Sequence, residues 1–101
     1  MTDSPIKYIY TVEAVSELTG YSVGTIQDFT SRGTVPKPKQ WLDPAAGRKG
    51  LYAVETVEML NHYRQLMSLG RGRDWVLARM AERMAEFNQR LAAMEEAIIC
   101  Q

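Results

Sequence analysis

Five polar side chains, Ser22, Thr25, Gln27, Asp28 and Ser31, fall close together at spacings of one to three residues. They carry the groups that read base edges in a DNA major groove. A glutamine amide can bridge N6 and N7 of adenine, and a carboxylate can accept from the N4 amino group of cytosine. Just downstream, Arg32, Lys37, Lys39, Arg48 and Lys49 stand against the single acid Asp43, and Arg71 and Arg73 follow. Such a cluster suits phosphate contacts, which give affinity without reading sequence. A solvated basic loop is the plainer reading of the same charges. Its place directly after the polar segment favours phosphate.

These groups must be held on a helix, and the surrounding residues describe one. Val12, Val15 and Leu18 recur every three residues, as do Val23, Ile26 and Phe29, so two short amphipathic segments can share one core. Between them Gly20 suits the left-handed turn that closes a helix, and Ser22 suits the N-cap of the next. The pattern predicts helices over residues 12–18 and 23–31 joined as a helix-turn-helix. Ser22, Thr25 and Gln27 then face a groove while Val23 and Ile26 are buried. Gly33, Pro36 and Pro38 end the second helix.

Ile6, Tyr8 and Tyr10 alternate as a short strand would. Residues 36–52 read as a β-hairpin or wing, with Trp41 and Leu42 on one arm, residues 43–50 as the turn, and Leu51 and Tyr52 on the other arm. A third helix is expected over 54–68, turning Val57, Leu60, Tyr63, Leu66 and Met67 inward and stopped by Gly70. From Asp74 onward Leu77, Met80, Met84, Phe87, Leu91, Met94 and Ile98 alternate spacings of three and four, a heptad seam. The seam can fold back on its own core or pair with a second copy. Pairing is the expectation; Arg90 and Glu95 flank the seam at positions that suit a parallel coil, but one pair contributes only roughly a few tenths of a kcal/mol, so parallel and antiparallel orientations both stay open. The fold class is therefore mostly α: a winged helix-turn-helix with a small β wing and a C-terminal coiled-coil-like dimerisation helix. The division is residues 1–72 for DNA binding and 73–101 for dimerisation.

In this order the elements resemble the MerR family of winged-helix transcription regulators. The residues that carry the likeness are Tyr10, Thr11 and Val12, then Leu18, Thr19 and Gly20, then Ser22, Val23 and Thr25. Gly33 with Pro36, the Gly50–Leu51–Tyr52 close of the wing, and Val57, Leu60, Leu66, Leu69 and Gly70 complete it. The resemblance implies binding of double-stranded DNA by a homodimer. Relatives usually carry arginines at the positions of Gly24 and Gln27, an aromatic at Asp28 and glutamates at Thr30 and Ser31, so a different operator sequence is expected. Relatives also place a sensor domain after the dimerisation helix, often with metal-binding cysteines; here the expectation is a regulator without an effector domain and with no small-molecule effector.

Composition narrows the alternatives. The chain has 101 residues, zero formal net charge and a pI near 6.6, which argues against a nonspecific polyanion binder. His62 and Cys100 are the lone histidine and cysteine, too few for a metal set within one chain, and no nucleophile with triad logic or glycine-rich phosphate loop is present. No catalytic residue, metal or cofactor is expected. The single cysteine and the lack of ~18 consecutive apolar residues point to a cytoplasmic protein without a membrane segment. Two other functions fit the same pattern: a phage or plasmid accessory DNA-binding factor of excisionase or small terminase type, and a winged-helix protein-interaction module. Gly24, Asp28 and the absence of net charge motivate the second.

Overall fold

The computed structural model describes residues 6–43 and 47–99, with side chains over 6–39 and 50–94. In chain order the elements are β1 (Tyr8–Tyr10), α1 (Val12–Thr19), α2 (Val23–Ser31), β2 (Lys39–Asp43), β3 (Gly47–Ala53), α3 (Val54–Met67) and α4 (Arg73–Ile99). The strands form an antiparallel sheet in the order β1-β3-β2.

Local chemistry explains each boundary of the first two helices. Thr11 is the N-cap of α1, its hydroxyl accepting from the Ala14 N–H at 3.2 Å, and Gly20 closes the helix at φ 81° with its N–H on the Ser16 carbonyl at 2.8 Å. A side chain at that φ would be strained, which is why glycine stands there. Ser22 caps α2 by accepting from the Thr25 N–H at 3.2 Å. Both helices therefore lie where the apolar spacing and the caps predict.

The buried stripe of α1 departs from expectation at one position. Val15 is fully buried, but Leu18 is 52% exposed, and Thr19 takes its place in the core. Thr19 can be buried because its hydroxyl donates to the Val15 carbonyl at 2.8 Å. Thr30 of α2 repeats the arrangement with the Ile26 carbonyl.

The wing is more regular than the sequence suggests. β2 runs through Asp43 and β3 starts at Gly47, with Trp41 opposite Lys49 and Leu42 opposite Arg48, so Arg48, Lys49 and Gly50 belong to a strand rather than to the turn. The reason is register: each residue added to the ladder satisfies backbone groups that a long open loop would leave to water. Residues 44–46 of the expected turn lie outside the described residues, as do the side chains of Trp41 and Leu42.

α3 leaves β3 directly, and the Val54 N–H donates to the Lys7 carbonyl at 3.1 Å, which ties its start to β1. Its core face comprises Thr56, Met59, Leu60 and Leu66, with Val57 and Tyr63 packed at the margin. Met67 is not part of it and is 43% exposed. Met59 enters the core where it lies beside Phe87 of α4.

Gly70 and Gly72 adopt φ 71° and 96°, reversing the chain so that α4 returns along α3. This reversal decides the fate of the heptad seam. Val76, Met80 and Phe87 are buried in the same core as Val15, Ile26, Val35 and Leu60, at 0, 1 and 3% exposure. One core thus draws residues from both sides of the expected boundary between residues 72 and 73. Met80 and Phe87 are not open to a second copy: the chain's own α3 and core already cover them. The other heptad register, Leu77, Met84 and Leu91, is only half-buried, as is Met94; the Ile98 side chain lies outside the described residues. Arg90 pairs with Glu55 of α3 at 2.9 Å, joining α4 to its own domain.

Candidate nucleic-acid interface

The orientation of α2 is set by residues on its hidden side. Ile26 is fully buried and Thr30 nearly so, while Val23 and Phe29 are partly buried. Phe29 meets the Tyr21 ring edge-on at 5.7 Å and the Tyr63 ring at 4.8 Å, so an aromatic ladder runs from the helix corner through α2 to α3. Arg64 of α3 braces the corner itself. Its guanidinium donates to the Thr19 carbonyl at the end of α1 and lies 4.7 Å from the Tyr21 ring centroid. Ser16 adds a hydroxyl bond to the Tyr21 carbonyl at 2.6 Å.

With that side fixed, the opposite side of α2 presents Gly24, Gln27, Asp28 and Ser31, with Ser22 and Thr25 at its start, all exposed. Their roles are unequal. The hydroxyls of Ser22 and Thr25 bond each other at 2.8 Å while Ser22 also serves as the cap, so together they keep only one hydroxyl hydrogen to offer. Gln27 offers a whole carboxamide. Asp28 is paired with Arg32 one turn later at 3.3 Å, both more than half exposed, so its charge is balanced on the surface by an exchangeable partner. Gly24 has nothing within 4 Å of where a Cβ would stand. A backbone can come close there, beside the first-turn N–H groups that a helix leaves unpaired.

Of the cations, Arg32 adjoins this face through its pair with Asp28. Arg32 and Lys37 are exposed. Lys39 is half-buried, and its ammonium sits 5.2 Å from the Tyr8 ring centroid, so its stem is anchored to β1. The backbones of Arg48 and Lys49 lie in β3, and their side chains are outside the described residues. Two features escaped the sequence reading. One is Arg64, which looks like an ordinary helix-surface arginine until α3 is set against the corner. The other is Trp75, flanked by Arg71 at 4.8 Å and Arg79 at 5.7 Å. Its signal was visible as arginines four residues to either side of a tryptophan.

No cluster of three or more His, Cys, Asp or Glu able to hold a metal occurs among the described residues. His62 is held below its ordinary pKa by burial and, second, by the charge of Arg83. Cys100 lies outside the described residues. No helix among them is long and apolar enough to cross a membrane.

An α1–corner–α2 unit with a polar outer face, followed by a β-hairpin and braced by α3, defines the winged helix-turn-helix class of nucleic-acid-binding domains. Residues 10–72, well over half of the chain, match the family described as MerR HTH family regulatory protein, and the chain belongs to that family. No curated protein matches the chain.

Proposed function

We propose that this protein is a sequence-specific regulator that binds double-stranded DNA by inserting α2 into the major groove. The observation that carries the reading is the division of α2 into a side locked by Ile26, Thr30 and the aromatic ladder and a side that exposes Gly24, Gln27, Asp28 and Ser31. A rigid helix with a free polar side is what base readout requires, because the cost of ordering the reader is met before DNA arrives. Gln27 bridges adenine, and Asp28 exchanges Arg32 for a cytosine amino group. Ser22, Thr25 and Ser31 border them, and Gly24 lets the phosphate backbone approach the start of the helix. Arg32, Lys37 and Lys39, with Arg48 and Lys49 of the wing, supply phosphate contacts. Few arginines stand on the reading face, so a larger share of specificity falls on Gln27 than the family resemblance implies.

Two copies are needed to read two half-sites. The stripe available for joining them is the outer heptad register, Met84 and Leu91, beside a cleft of about 370 Å³ walled by Tyr8, Val35 and Pro36. Leu77 continues that register, with Met94 and Ile98 toward the end of α4. Met80 and Phe87 support the stripe from beneath. The homodimer proposed here therefore uses one side of α4 while the other side completes the protomer's own core.

The first test is a mobility shift and footprint on genomic fragments with the unmodified chain and with Gln27→Ala. The expected result is discrete sites for the first protein and a changed ranking for the second, with a loss of ~1–3 kcal/mol at sites where Gln27 meets adenine. Unchanged ranking removes Gln27 as a reader. Absence of any preferred fragment would refute sequence-specific binding.

A further inference from the structure

A second cleft, of about 300 Å³, lies where the end of α2 meets the first turns of α4. Its walls combine two kinds of chemistry. Phe29, Tyr63 and Leu77 form an apolar surface, and Arg32, Arg73 and the Thr34 side of the loop stand around it. No acidic side chain lines it among the described residues. The volume is at the lower end of the roughly 300–1,000 Å³ typical of small-molecule sites, enough for a one- or two-ring ligand. Two guanidiniums beside an aromatic floor match a planar carboxylate attached to an apolar body.

We propose that this cleft is an effector site for a small amphipathic organic anion, an aromatic or alicyclic carboxylate, held between Arg32 and Arg73 with its rings on Phe29, Tyr63 and Leu77. Arg32 is the point of coupling because it lies one turn beyond Asp28 of the reading side, paired with it at 3.3 Å, and serves as a phosphate contact in the proposed complex. A ligand carboxylate that draws Arg32 into the cleft withdraws that phosphate contact and weakens DNA binding. The effector is thus an inducer of release, acting within the helix-turn-helix domain itself. This regulatory half rests on the DNA-binding reading, whereas the ligand site does not.

The test uses 1-naphthoate as the probe, titrated into the ¹⁵N-labelled full chain and followed by amide shifts. Saturable shifts are expected at residues 29–34 and 73–81. Neutral 1-naphthamide and the exposed-site variant Arg73→Ala are each expected to reduce affinity about tenfold or more, the effect of losing a charge-assisted contact. In a parallel mobility shift, saturating 1-naphthoate is expected to lower DNA affinity about tenfold on the same grounds. Absence of saturation in the millimolar range, equal binding of the amide, or shifts confined to other residues would overturn the site. Binding at the cleft with unchanged DNA affinity would overturn the regulatory half. Naphthoate binding in a protein that binds no DNA would support the site while refuting the proposed function, so the two failures are distinguishable.

Discussion

Phe87→Ala separates a residue that completes the protomer from one that joins two protomers. Phe87 is 3% exposed and lies in one core with Met80, Met59 and Leu60. A phenylalanine buries about 150–250 Å², which at about 25 cal/mol/Å² amounts to roughly 4–6 kcal/mol for the whole residue. Alanine keeps part of that area but leaves a cavity, and measured truncations of this kind cost ~3–5 kcal/mol. Against a total stability on the order of 5–15 kcal/mol for a small domain, this is a large fraction. With a urea dependence of about 2 kcal/mol/M, the unfolding midpoint should fall by roughly 2 M. Tryptophan fluorescence reports the transition, since Trp75 sits on α4. Leu91→Asp, on the half-buried outer register, should do the reverse: a small change in the unfolding of the protomer and a large loss of self-association in sedimentation. If Phe87→Ala kept the parental midpoint and lost only self-association, Phe87 would be covered by a second chain, and the assignment of α4 to its own core would be wrong.

Three further outcomes are expected. Arg48→Ala should weaken all DNA sites alike and reduce the slope of log affinity against log salt by about one unit, as loss of one phosphate contact requires; an unchanged slope takes Arg48 off the DNA. Gly20→Ala forces an L-residue to φ 81° and sets its Cβ 3.4 Å from the Arg64 guanidinium. A cost of ~1–2 kcal/mol should appear as a Tm lower by several degrees, and an unchanged Tm would show that the corner relaxes freely. His62 has a folded pKa below its ordinary 6.5, so the unfolded chain takes up the proton more readily and stability falls as pH drops below about 6.5. His62→Gln should therefore lose less stability than the parent between about pH 7 and pH 5.5, and equal losses would locate the acid sensitivity elsewhere.

The sequence by itself determined the elements whose causes are local. The serine cap, Gly20 at the corner and the three-residue apolar spacing placed α1 and α2, because each depends on groups within one helical turn. The polar face bearing Gln27 and Asp28 was legible for the same reason: once Ile26 is inside, helical geometry leaves the other side outside. Tertiary structure decided which partner each ambiguous stripe would find. Leu18 and Thr19 both had positions near the inner face of α1, and only the approach of α3, with Arg64 reaching the Thr19 carbonyl, selected Thr19 for the core. The heptad seam of α4 was equally ambiguous, since alternating three and four spacing describes an apolar stripe without naming what covers it. The left-handed turns at Gly70 and Gly72 brought that stripe back over α3, so Met80 and Phe87 were buried by their own chain while Leu77, Met84 and Leu91 stayed half-open. Burial between elements distant in sequence is a property of their packing, and no local pattern contains it.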